Sequence, residues 1–130
     1  MKKIFILGSG EYFIEQYYWL KDFIKKNQNQ YLIEAIIDDL SNDKYEKHSK
    51  IKIIKEHHVP NNENTYLYLA IGNPSIRKKI LDKFNKKYKF LTLIHPSSVV
   101  SEGSTLGRGC TVSPGTIIAG NAIIGDFNNF

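Results

Sequence analysis

Seven residues spaced six apart run through the C-terminal third of the chain: Ile94, Val100, Leu106, Val112, Ile118, Ile124 and Phe130. Four positions after each of the first six stand Ser98, Ser104, Cys110, Thr116, Ala122 and Asn128, and all but Asn128 are small. A helix with 3.6 residues per turn would not hold that phase over the whole stretch. A strict six-residue repeat with one inward aliphatic residue per unit is the pattern of a parallel β-helix. Residues 94–130 are therefore expected to begin one.

Upstream the rhythm differs. Lys3–Leu7 and Leu32–Ile37 are short β-branched runs ending in Gly or Asp, as buried parallel strands do. Between them Phe13, Tyr17, Leu20 and Ile24 recur at helical spacing, predicting an amphipathic helix from about residue 11 to 27. Tyr66–Ile71 reads as a third strand, and Phe90–Ile94 as a fourth. Between these two, Asn73 and Pro74 form a favoured helix start, and Ile76, Ile80, Leu81, Phe84 and Tyr88 form the expected buried stripe. Ile51–Ile54 reads as a short strand in an otherwise poorly patterned segment. Strand and helix in alternation mean βαβ units with right-handed crossovers. The expected fold is α/β: a small Rossmann-like parallel sheet over residues 1–93, followed by the start of a β-helix over 94–130.

Composition removes several functions. The single cysteine, Cys110, excludes an internal disulfide and a multi-cysteine zinc site. No run approaches the length of a membrane span, and the apolar stretch Ile4–Leu7 is too short for a signal peptide. The net charge of +5 comes from 18 bases and 13 acids, but only Arg77 and Arg108 are arginine. Residues 1–89 hold 17 of those bases. Lysine lacks the planar fork suited to base and phosphate recognition. The basic run Arg77–Lys89 places Phe84 and Tyr88 on the buried face, so no nucleic-acid partner is expected.

Three strand ends carry the candidate site. Gly8, Ser9 and Gly10 lie between a strand and a helix, where backbone can approach a phosphate, although a tight turn would also want glycine. The dinucleotide fingerprint is incomplete, since Phe13 stands where its last glycine would. Asp38 and Asp39 close the second strand, where a carboxylate can accept from ribose hydroxyls or a uracil N–H, or else cap a turn. Gly72 and Asn73 close the third on the same edge, with Asn73 also a helix cap. Arg77 could steer a diphosphate or simply be solvated. His48, His57, His58 and His95 show no metal-ligand spacing, and Cys110 fills a small packing slot.

The segments IFILGSG, AIIDD, LAIGNPSIRKKI and LIHPSSVVSEGSTLG, with the hexapeptides after them, resemble a family of sugar O- and N-acetyltransferases. These are related to the sialic-acid O-acetyltransferases and the bacillosamine-pathway acetyltransferase. The resemblance implies a Rossmann-like nucleotide-sugar domain, a left-handed hexapeptide β-helix, three hexapeptides per coil and a homotrimer in the intact protein. It also implies a cytoplasmic protein that binds a nucleotide-linked sugar, such as a UDP-amino sugar, through Gly8, Ser9, Gly10, Asp38, Asp39, Gly72 and Asn73. By family spacing the catalytic histidine would fall about eight residues beyond Phe130. The acetyl-CoA groove would lie further on, so no catalytic residue and no cofactor are expected within this chain. The expected function is the substrate-binding portion of an acetyl-CoA-dependent acetyltransferase of surface-polysaccharide or glycan biosynthesis. A non-catalytic nucleotide-sugar-binding or assembly module is the alternative.

Overall fold

The computed structural model describes residues 1–8, 11–37 and 50–130. Five strands, β1 (Lys2–Leu7), β2 (Tyr31–Ile37), β3 (Ile53–Ile54), β4 (Thr65–Leu69) and β5 (Lys89–Phe90), form one sheet. Their order is β3-β2-β1-β4-β5, and each neighbouring pair is parallel. Two helices, α1 (Glu11–Lys26) and α2 (Pro74–Phe84), supply the crossovers after β1 and β4.

The strands read as near-continuous apolar runs because both sheet faces are covered. On one face Ile4, Ile6, Ile36 and Tyr68 pack with Phe13 and Leu20 of α1. On the other, Phe5, Leu7, Ile37, Leu67 and Leu69 pack with Phe84 of α2 and with Tyr88. The predicted stripe of α2 needs one correction. Ile76 is 40% exposed, and Phe84 is the buried residue of that helix.

Residues 90–94 are not one strand. Leu91 N–H still donates to Leu67 O in the sheet, but Leu93 N–H donates to Cys110 O. Between them the Thr92 hydroxyl donates to Gly107 O, which turns the chain out of the sheet. The second piece becomes β6 (Leu93–Ile94), the first strand of the coil. It is followed by β7 (Val99–Val100), β8 (Thr105–Leu106), β9 (Thr111–Val112), β10 (Ile117–Ile118) and β11 (Ile123–Ile124). They pair in parallel as Ile94 with Val112, Val100 with Ile118 and Leu106 with Ile124, each eighteen residues apart. Three hexapeptides therefore make one turn, and a bridge from Thr111 to Asn129 opens the next.

The side chain before each inward aliphatic points outward, so its burial reports what covers that face. Leu93 and Thr111 are buried, because their face packs on the Rossmann-like sheet and α1. Val99 and Ile117, on a second face, are 61% and 72% exposed, and Ile123, on the third, is 88% exposed.

Polar contacts fix the seam. The buried Tyr68 hydroxyl donates to Gln16 Oε1 and lies 3.1 Å from Thr111 Oγ1. Phe127 packs edge-on against Phe90 at 5.1 Å between centroids, with the Arg108 guanidinium over its ring. Arg108 also donates to the main-chain and side-chain oxygens of Asn85.

Candidate functional site

In this strand order the chain winds outward from β1 in both directions, so the carboxyl ends of β1 and β4 flank the point where the order reverses. Open α/β sheets bind ligands in the crevice there. Gly8 follows β1 with φ +115, a conformation that side chains rarely adopt. A Cβ at this position would overlap the Ala70 carbonyl oxygen and stand 2.7 Å from Ile71 Cγ1. The two strand ends are held at this distance by Ala70 N–H donating to Leu7 O at 2.7 Å. Glycine is thus required by packing, before any ligand is considered.

The structure brings Gly8 against Ala70 and Ile71, and Gly72 and Asn73 follow these two directly in the chain. Asn73 caps α2: its Oδ1 accepts from Ser75 N–H at 3.0 Å and Ile76 N–H at 3.1 Å, with Pro74 at the first helical position. The cap satisfies two of the helix's free donors. Gly72 and Asn73 are both exposed. Ser9, Gly10, Asp38 and Asp39 lie outside the described residues, as does His48.

Arg77 is engaged within the chain. Its guanidinium donates to Phe127 O at 2.9 Å and reaches Ile71 O at 3.5 Å. The charge thereby joins the β4 end to a corner of the coil fifty residues downstream, where Phe127 has φ +59. A contact between residues so far apart leaves no local pattern to read.

The remaining candidates for chemistry are occupied or dispersed. His95 has both ring nitrogens engaged, Nε2 with Asp22 Oδ2 at 2.8 Å and Nδ1 with Ser97 N–H at 3.0 Å. His57 and His58 lie with ring centroids 4.1 Å apart and planes tilted by 51° in a short 3-10 turn, Glu56–His58. Among the described residues no three His, Cys, Asp or Glu side chains converge to hold a metal. Cys110 is buried with its thiol on Gly125 O. Two hollows of about 520 and 500 Å3 flank the last turns of α1, at the sheet edge opposite Gly8, and share Asp22 and Lys25. Neither coincides with the strand-end crevice.

Comparison with known proteins agrees with this architecture. Residues 3–84 match the family model described as PglD N-terminal domain. UDP-N-acetylbacillosamine N-acetyltransferase of Bacillus subtilis (strain 168) is 41% identical over 45 residues, which is 34% of this chain and 21% of that protein. The acetyltransferase domain of PglB from Neisseria gonorrhoeae FA1090, solved with acetyl coenzyme A, superposes over 98% of this chain with a TM-score of 0.79 at 19% identity. A mutant perosamine N-acetyltransferase from Caulobacter crescentus, solved with CoA and GDP-perosamine, superposes over 99% with a TM-score of 0.72 at 22% identity. At these identities the two structures report the fold. The chain spans 60% of the length of each.

Proposed function

The chain belongs to the PglD N-terminal domain family, and from that membership we propose that it is the substrate-binding portion of an acetyl-CoA-dependent acetyltransferase acting on a nucleotide-linked amino sugar. In this reading residues 1–93 hold the nucleotide sugar and residues 94–130 begin the β-helix that aligns it for acetyl transfer. The process served is surface-polysaccharide or glycan biosynthesis. The observation that carries the proposal is the close approach of Gly8 to Ala70–Ile71 at the reversal of strand order, with Gly72 and Asn73 exposed beside it.

Gly8, Ser9 and Gly10 would supply backbone to the diphosphate, Gly72 and Asn73 the opposite wall, and Asp38 and Asp39 the acceptors for ribose or base. Acetyl-CoA would be the second substrate, and no residue of this chain is assigned to it or to the base that deprotonates the amine. The intact protein would be a cytoplasmic homotrimer, a reading supported by the uncovered Val99, Ile117 and Ile123 on the outer coil faces.

Thermal melts with UDP, GDP and NAD test the site. A uridine or guanosine diphosphate should raise the melting temperature more than NAD does, and Asp38→Ala with Asp39→Ala should abolish the rise. Equal or absent shifts for all three nucleotides would remove the binding assignment.

A further inference from the structure

The opposite edge of the sheet gathers a different chemistry. In a parallel sheet with crossover helices, strand starts and helix ends share one edge. Lys2 opens β1, Lys25 and Lys26 close α1, Lys86 and Lys87 follow α2, and Lys89 opens β5. Among the described residues none of these six ammonium groups is paired with a carboxylate.

Lysines at helix ends have an ordinary explanation, since they complement the negative end of the dipole. Lys2 and Lys89 do not, because they open strands. Their Nζ atoms nevertheless stand 5.8 and 4.7 Å from the centroid of the same ring, Tyr66, and Lys2 is also 5.1 Å from the ring of Tyr31. Lys89 Nζ donates further to the main-chain oxygen of Glu63 rather than to a carboxylate. Gathering like charges on one ring is a local cost, and such violations concentrate where an external group offsets them.

We propose that this lysine-and-tyrosine edge docks the protein on an anionic membrane surface. The ammonium groups would lie in the lipid phosphate layer, with the amphipathic rings of Tyr31 and Tyr66 at headgroup level. The association is peripheral, since no helix among the described residues is long and apolar enough to cross a membrane. Two features favour a bilayer over nucleic acid. All six cations are lysines, without the guanidinium fork that reads phosphates and bases individually. The Tyr66 ring is already attended by two ammonium groups, which occupy the place of a stacking base. The proposal is independent of the nucleotide-sugar reading, which concerns the other edge.

Co-sedimentation of the chain with phosphatidylcholine vesicles, with and without phosphatidylglycerol, tests it. Binding should require the anionic lipid and be reversed by high salt. Each lysine near such a surface contributes about fivefold in affinity, so Lys2→Glu with Lys89→Glu should weaken binding at least about twenty-fold. The milder pair Lys2→Gln with Lys89→Gln, which keeps long side chains at the strand starts, should give an intermediate loss. Lys78→Glu with Lys79→Glu, in the middle of α2, changes net charge equally and should retain most of the binding. Three results would overturn the proposal: no sedimentation with anionic vesicles, equal loss in the edge and α2 charge-reversal pairs, or tighter binding to polyuridylate RNA than to vesicles.

Discussion

His95 Nε2 lies 2.8 Å from the carboxylate of Asp22, a bond between the first turn of the coil and the last turns of α1. Because His95 Nδ1 accepts the Ser97 N–H, the proton of the neutral ring sits on Nε2 and is donated to Asp22. The two partners differ in exposure, 10% for the His95 side chain and 59% for Asp22, and that difference orders the mutational costs. His95→Ala leaves a cavity and a main-chain donor unpaired, for about 2–3 kcal/mol. Asp22→Ala should cost about 1 kcal/mol, and Asp22→Asn, which keeps an acceptor, less than that. Urea denaturation should return this order. Equal costs at the two positions would show that the bond is solvated from both sides.

Gly8→Ala should destabilise on the order of 3 kcal/mol, combining a positive φ with overlap on the Ala70 carbonyl. The expected reading is a lower urea midpoint with an unchanged slope. A loss below about 0.5 kcal/mol would mean that the β1 and β4 ends separate more easily than their hydrogen bond implies.

Asn73 can be tested as cap and as ligand contact separately. Asn73→Ala should cost about 1 kcal/mol of stability, whereas Asn73→Asp retains an oxygen for the Ser75 and Ile76 N–H groups. If Asn73 serves only as a cap, the alanine variant will melt lower but keep its full nucleotide-induced shift. Loss of that shift in the aspartate variant, which keeps the cap, would assign the side chain to the ligand.

Tyr68→Phe removes the hydroxyl joining Gln16 to Thr111 and leaves buried polar atoms on both sides, costing about 1–3 kcal/mol. Adding Gln16→Leu should recover part of that loss, because the orphaned amide goes with it. Additive losses would show that the three groups do not act together.

What the sequence revealed and what it hid follow one physical division. Features set by local periodicity were readable: the six-residue column, the apolar strands, and the Asn73–Pro74 helix start. Features set by long-range contact were not. Nothing near Leu91 announces that Thr92 will bond Gly107 and break the expected strand in two. Ile76 has the right spacing for burial, but it lies on the first turn of α2, where it is left 40% exposed. The site divides the same way. Gly8 and Asn73 stand out as residue types suited to strand ends, yet each has a packing or capping reason of its own. The Arg77 link to Phe127 and the His95 link to Asp22 depend on pairs separated by 50 and 73 positions.

The eighteen-residue register limits how the coil can change length. Removing a single residue would turn every later inward aliphatic away from the prism axis. Removing one hexapeptide keeps the aliphatics inward but advances each later side chain to the next face. Ile117 would then take the place of Thr111 and bring hydrocarbon to the Tyr68 hydroxyl. Only insertions or deletions of whole turns leave both the axis and the seam intact, so eighteen residues is the unit in which this part of the chain can be lengthened, shortened or exchanged.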